Sequence, residues 1–132
     1  MRKLTYLPLL IILYLLPAVA VAQNPIDKIA ELVKQSDIAE LEKYFAPNVD
    51  ITILKEENVY SKTQASIVLN KFFTQNKPKA VKVLHKVNTN NAYRFGVLLL
   101  TTDKGIYRVS FTLNGANGAM QIIDLRIEAE KA

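Results

Sequence analysis

Apolar and polar residues alternate most regularly over residues 92–113. Tyr93, Phe95, Val97 and Leu99 recur at every second position, and Tyr107, Val109, Phe111 and Leu113 do the same after the turn signal Thr102-Asp103-Lys104-Gly105. A period of two puts side chains on one face of a sheet, so the stretch predicts a β-hairpin with both sets turned inward. The same rule applied on either side makes Val81, Val83, His85 and Val87 inward upstream, and Gln121, Ile123, Leu125 and Ile127 inward downstream. Asn-rich and Gly-rich turns over 88–91 and 114–118 join these strands. Turns that short connect antiparallel neighbours, so the four strands predict a meander.

The pattern changes period in the first half. Asn24-Pro25 supplies a cap and a first-turn proline, and Ile26, Ile29, Ala30 and Val33 follow at helical spacing. Asp37, with Glu40 three residues on, caps a second helix whose apolar face is Ile38, Leu41, Tyr44 and Phe45 and which Pro47 ends. Val49, Ile51 and Ile53 alternate as a strand, and 55–58 reads as a polar turn before a brief extended piece at Val59-Tyr60. Ser61 and Gln64 cap a third helix carrying Ala65, Val68, Leu69 and Phe72. The fold class expected is α+β, three N-terminal helices packed on a curved, mainly antiparallel sheet that closes into a cone.

Composition sets the compartment. Arg2 and Lys3, the apolar run over 4–16, Pro17 and the small residues Ala20-Val21-Ala22 predict a signal peptide over 1–22, cleaved before Gln23, leaving one domain over 23–132. Residues 4–22 number 19, close to the ~20 of a membrane span, but their two prolines and the Ala-Val-Ala ending favour removal, with no stable membrane insertion afterwards. The chain has no cysteine, so neither a lipid anchor at the cleavage site nor a disulfide is available, and stability rests on the core. The product is expected in the periplasm or the medium. Net charge is +5 with 17 basic and 12 acidic residues, and the leader holds two of the basic ones. The remaining balance is mild. Lys77, Lys79, Lys82 and Lys86 read as a guarded strand edge rather than a nucleic-acid groove.

The run from Ser36-Asp37-Ile38-Ala39-Glu40-Leu41 to Phe45-Ala46-Pro47-Asn48-Val49, with the order of elements over 25–129, resembles the nuclear transport factor 2-like superfamily, the ketosteroid isomerase or SnoaL-like group. Leu84-His85-Lys86, Tyr93-Arg94-Phe95-Gly96, Tyr107-Arg108-Val109 and the segment Ile122-Ile123-Asp124-Leu125-Arg126-Ile127-Glu128 are similar to a branch of exported Bacteroidetes domains of unassigned function. The resemblance implies a cystatin-like roll and, in the superfamily's enzymes, polar groups inside the cone. An isomerase of that kind needs an interior carboxylate and an oxyanion donor. No Asp or Glu falls on the inward set, which argues against catalysis but does not end it, since a helix can still supply Glu31 or Glu42.

His85 is the only histidine. It is the candidate base if the chain is an enzyme, and otherwise a core or rim residue. Tyr44, Tyr60, Tyr93 and Tyr107 join it as candidate ligand-binding residues, an aromatic wall with polar tips. One histidine without cysteine builds no metal site, and no cofactor is expected. On the opposite face the parity places Leu98, Leu100 and Ile122 beside Arg94, Arg108 and Arg126. Apolar residues on an outer sheet face suggest a homodimer interface. The leading reading is non-catalytic binding of a small amphipathic, largely hydrophobic ligand or a protein partner. The alternatives are an isomerase, dehydratase or hydrolase using His85 and the tyrosines, and a structural envelope protein without a pocket.

Overall fold

The computed structural model describes residues 24–89, 92–115 and 119–130. The leader expected over 1–22 and most of the turn expected over 114–118 lie outside them. Helix α1, Pro25–Gln35, starts where the Asn24 side chain accepts from the Ile26 amide at 2.9 Å and ends at Ser36, whose φ of 56° turns the chain. Helix α2, Ile38–Glu42, is capped by Asp37. Strands β1, Phe45–Ile53, and β2, Glu56–Ser61, form a hairpin, and Ser61 caps helix α3, Lys62–Gln75. Strands β3, Pro78–Asn88, β4, Tyr93–Thr102, β5, Ile106–Asn114, and β6, Gln121–Ala129, complete one sheet of order β2-β1-β6-β5-β4-β3. The last four strands are the antiparallel meander the turns predict, and β1 joins it parallel to β6. The class is α+β, with helices on one sheet face. They are not all N-terminal: α3 follows the β1–β2 hairpin.

Two boundaries differ from the sequence reading. The second helix stops at Glu42, and Phe45 opens β1 instead of continuing a helical face. Backbone pairing takes over here, with the Ile122 amide donating to the Tyr44 carbonyl at 2.6 Å. Pro47 is tolerated in the strand because regular pairing lapses between Phe45 and Asp50. The first hairpin reverses at Leu54-Lys55, so the residues expected as a polar turn are the start of β2.

The larger difference is parity. Thr101 pairs with Ile106 across a four-residue turn, so even-numbered residues of β4 share a face with odd-numbered residues of β5: Gly96 with Phe111, Leu98 with Val109, Leu100 with Tyr107. The expected odd–odd match cannot form in that register. Leu98 and Leu100 are 0% exposed in the core, whereas Tyr93 and Phe95, expected inside, are 42% and 37% exposed. A bulge between Val83 and His85 repeats the effect on β3. Val83 opposes Leu98, but His85 opposes Val97 and Val87 opposes Phe95, both on the outer face. A second bulge between Thr112 and Leu113 sends Ile122 inward opposite Leu113, and Ile122 is 0% exposed. Leu98, Leu100 and Ile122 therefore offer no outer patch. Arg94, opposite Leu113, also sits on the helix-facing side, while Arg108 and Arg126 lie outward.

The core lies between the inner sheet face and the helices. Ile26, Ile29, Leu41, Phe45, Leu69, Leu98, Leu100, Phe111 and Leu113 are fully enclosed in it. The Ser66 hydroxyl of α3 donates to the Glu42 carboxylate at the end of α2, and Lys86 of β3 pairs with Asp27 of α1 at 3.0 Å. These polar ties link α2 to α3 and α1 to β3 around the apolar core.

Candidate functional site

The five candidate ligand-binding residues do not converge. Tyr107 donates its hydroxyl to Asn76 Oδ1 at 2.9 Å, and its ring meets the edge of Phe72 at 5.2 Å. Asn76 Nδ2 in turn donates to the Phe72 carbonyl at 3.0 Å, so Tyr107 secures the C-terminus of α3. Tyr44 packs against the core beside Lys28, Lys43 and Met120. His85 and Tyr93 stand on the outer face of β3 and β4. His85 is exposed and its imidazole makes no hydrogen bond or ion pair to a described residue, so it lacks the positioned carboxylate that a general base uses. Among the described residues, no group of three or more His, Cys, Asp or Glu is placed to hold a metal ion.

Tyr60 lines a different concavity from Tyr44, which borders one with Pro25, Lys28, Lys43 and Met120. A groove of about 360 Å³ runs between α3 and the β1–β2 hairpin. Ile51, Ile53, Val68 and Phe72 form its apolar floor, and Tyr60, Glu56, Lys71 and Gln75 give it a polar rim. Ile67 on α3 stands at its lip, 57% exposed. Helical spacing explains the lip. Ala65, Leu69, Phe72 and Phe73 bury one stripe of α3, and Ile67, with Lys71 one turn on, falls on the flank that overlooks β2. Tyr60 takes a hydrogen bond from Asn58 Nδ2 at 3.2 Å, which orients its hydroxyl along the strand. Apolar surface with a few polar groups at the margin suits a small amphipathic ligand or an inserted side chain.

The outer face carries a second concavity of about 310 Å³. Asp50, Glu57, Asp124 and Glu128 line it with Phe95, and its cation, Arg126, is engaged by Glu128 at 3.4 Å. Asp50 Oδ1 is buried and has no hydrogen-bond partner. The residues beside it on β1 and β6, Thr52 and Asp124, share the face because parallel partners keep the same side. Nearby, Arg108 holds Glu130 through two bonds of 3.0 and 3.1 Å. The hydrogen bond and charge of Arg108 lower the Glu130 carboxyl below its ordinary value, and Glu130 raises Arg108.

Sequence reasoning missed the groove because its walls come from separate elements. Ile67 carried the available signal: an isoleucine off the buried stripe of an amphipathic helix.

The family model described as Domain of unknown function (DUF4783) matches residues 26–128. No curated protein matches the chain. Among solved structures, a DUF4783 family protein from Bacteroides uniformis is 23% identical, with 83% of this chain and 100% of that chain covered and a TM-score of 0.78. A protein named Rd1NTF2_04 with long sheet is 18% identical over 76% of this chain and 94% of that one, with a TM-score of 0.63. A domain of unknown function with a cystatin-like fold from Nostoc punctiforme is 8% identical, with 80% and 73% covered and a TM-score of 0.64. These likenesses show the fold. The match over residues 26–128 shows the family: the chain belongs to DUF4783, a branch of unknown function within the nuclear transport factor 2-like and cystatin-like folds.

Proposed function

We propose that the protein is an exported, non-catalytic binding domain, released from its leader after residue 22, whose site is the groove between α3 and the β1–β2 hairpin. The observation that carries this reading is the groove's chemistry, an apolar floor with Tyr60, Glu56 and Lys71 at its margin, beside an interior closed by side chains. Enzyme chemistry finds less support, since His85 and the tyrosines stand apart. Calorimetric titration with laurate, an apolar chain with a polar head, tests the reading. Saturable binding lost on Ile67→Glu, with thermal stability retained, is the expected result. Undetectable laurate binding, or equal binding by Ile67→Glu, would contradict it.

A second reading has its own observation. Tyr93, Phe95 and Val87 leave an apolar strip exposed on the outer sheet face, with Asp124 and Arg126 in the hollow beside Phe95. Such a patch suits a two-fold contact with a second copy. Sedimentation velocity separates the cases: a dimer that Phe95→Glu converts to monomer supports it, and a monomer at high concentration removes it.

A further inference from the structure

We propose that β2 is an acceptor edge that takes an extended peptide, alternately apolar and basic, as an additional strand of the sheet. The proposal rests on the groove reading above and names the partner of that site.

The two edges of the sheet are built differently. β3 carries Lys79, Lys82 and Lys86 and is broken by irregularities next to Lys79 and Leu84. Lysines and bulges are what deters a new strand from pairing. β2 has none of them. Its six residues pair with β1 in unbroken register from Asn48–Ser61 to Ile53–Glu56, without a bulge, proline or lysine. Among the described residues β1 is its only strand neighbour. Every other backbone group of an extended strand points away from its partner, so the free side of β2 presents a row of donors and acceptors.

The two faces flanking that edge specify the side chains. A strand added about 4.8 Å beyond β2 alternates its side chains between the faces. On the helix side they meet the groove, with Tyr60 on its wall and Ile67 overhanging it, which selects apolar residues. On the outer side they meet Glu57 and the exposed Val59, with Asp50, Asp124 and Glu128 on the strands behind them. Arg126 is already paired with Glu128, and Asp50 Oδ1 is unpartnered, so negative charge on this side is in excess. That selects Lys or Arg. Main-chain pairing supplies affinity, while the groove and the acidic face supply register and sequence preference.

The test uses the full chain and three capped heptapeptides: one alternating Lys and Val, its backbone N-methylated twin, and a Glu/Val counterpart. The readouts are calorimetric affinity and amide hydrogen exchange. The Lys/Val peptide is expected to bind and to slow exchange at the β2 amides that face away from β1 by roughly tenfold or more. The N-methylated and Glu/Val peptides are expected to bind at least about tenfold more weakly. Glu57→Lys reverses the preference between Lys/Val and Glu/Val peptides, and both surface variants, Glu57→Lys and Ile67→Glu, leave the fold intact. Binding with unchanged β2 exchange, or equal binding by the N-methylated twin, overturns strand addition and leaves the groove reading standing. Laurate binding without binding of the Lys/Val peptide overturns the peptide class. Loss of both removes both readings. Protection of β2 by concentration alone, without peptide, assigns the edge to a second copy and also overturns the proposal.

Discussion

Gly96 shows how one residue sets the distance between layers. A Cβ built there would lie 2.7 Å from Phe111 Cζ and 2.9 Å from Ile26 Cγ2, so the missing side chain lets α1 and the Phe111 ring close over β4. Both neighbours are fully buried. Gly96→Ala is expected to destabilise the fold by about 1–3 kcal/mol through overpacking, measured by urea denaturation; an unchanged midpoint would show that the layers can separate freely. Leu54 makes the opposite case. It holds φ at 59° in the β1–β2 turn and is half exposed, so its side chain obtains little for the strain. Leu54→Asn, which tolerates the left-handed region, is expected to raise stability by roughly 0.5–1 kcal/mol. A lower melting temperature would contradict that account.

At the scale of elements, local signals set the helices and long-range pairing set the faces. The caps at Asn24, Asp37 and Ser61 act within three residues and are readable from sequence, and the structure uses all three. The meander was equally legible from its short turns. Face assignment was not, because it depends on counts across a turn and on bulges. Tyr93, Phe95, Val97 and Leu99 alternate as regularly as Gly96, Leu98 and Leu100, and only the four-residue turn decides between them. Thr102 builds that turn: its hydroxyl donates to the Gly105 carbonyl at 2.8 Å and accepts from the Lys104 and Gly105 amides, each at 3.1 Å. Thr102→Val keeps the shape and removes these bonds. A cost of about 1–2 kcal/mol is expected, together with loss of the slow-exchanging amides nearest the turn. Wild-type stability would mean that the register is held elsewhere. The bulge beside Leu84 carries His85 from the expected interior to the outer face.

For the whole molecule, the consequence is that the candidate residues do not meet inside the cone. The side chains expected to ring an interior pocket instead serve separate tasks, as Tyr107 does at the end of α3. Exposed apolar surface includes the groove beside α3, the strip on β3 and β4, and Val59 on β2, with an acidic hollow between sheet centre and β2 edge. A basic chain that concentrates four carboxylates near one sheet edge and lysines along the other presents two unlike edges to its surroundings. Sequence gave little access to this division, because each surface is assembled from residues distant in the chain. The most direct test is methyl NMR of the full chain during a laurate titration. Saturable shifts confined to the methyl groups of Ile51, Ile53, Ile67 and Val68 are the predicted result. Shifts centred on Leu98, Leu100 and Leu113, or none at the groove, would contradict the claim that the binding surface lies beside α3 and not within the core.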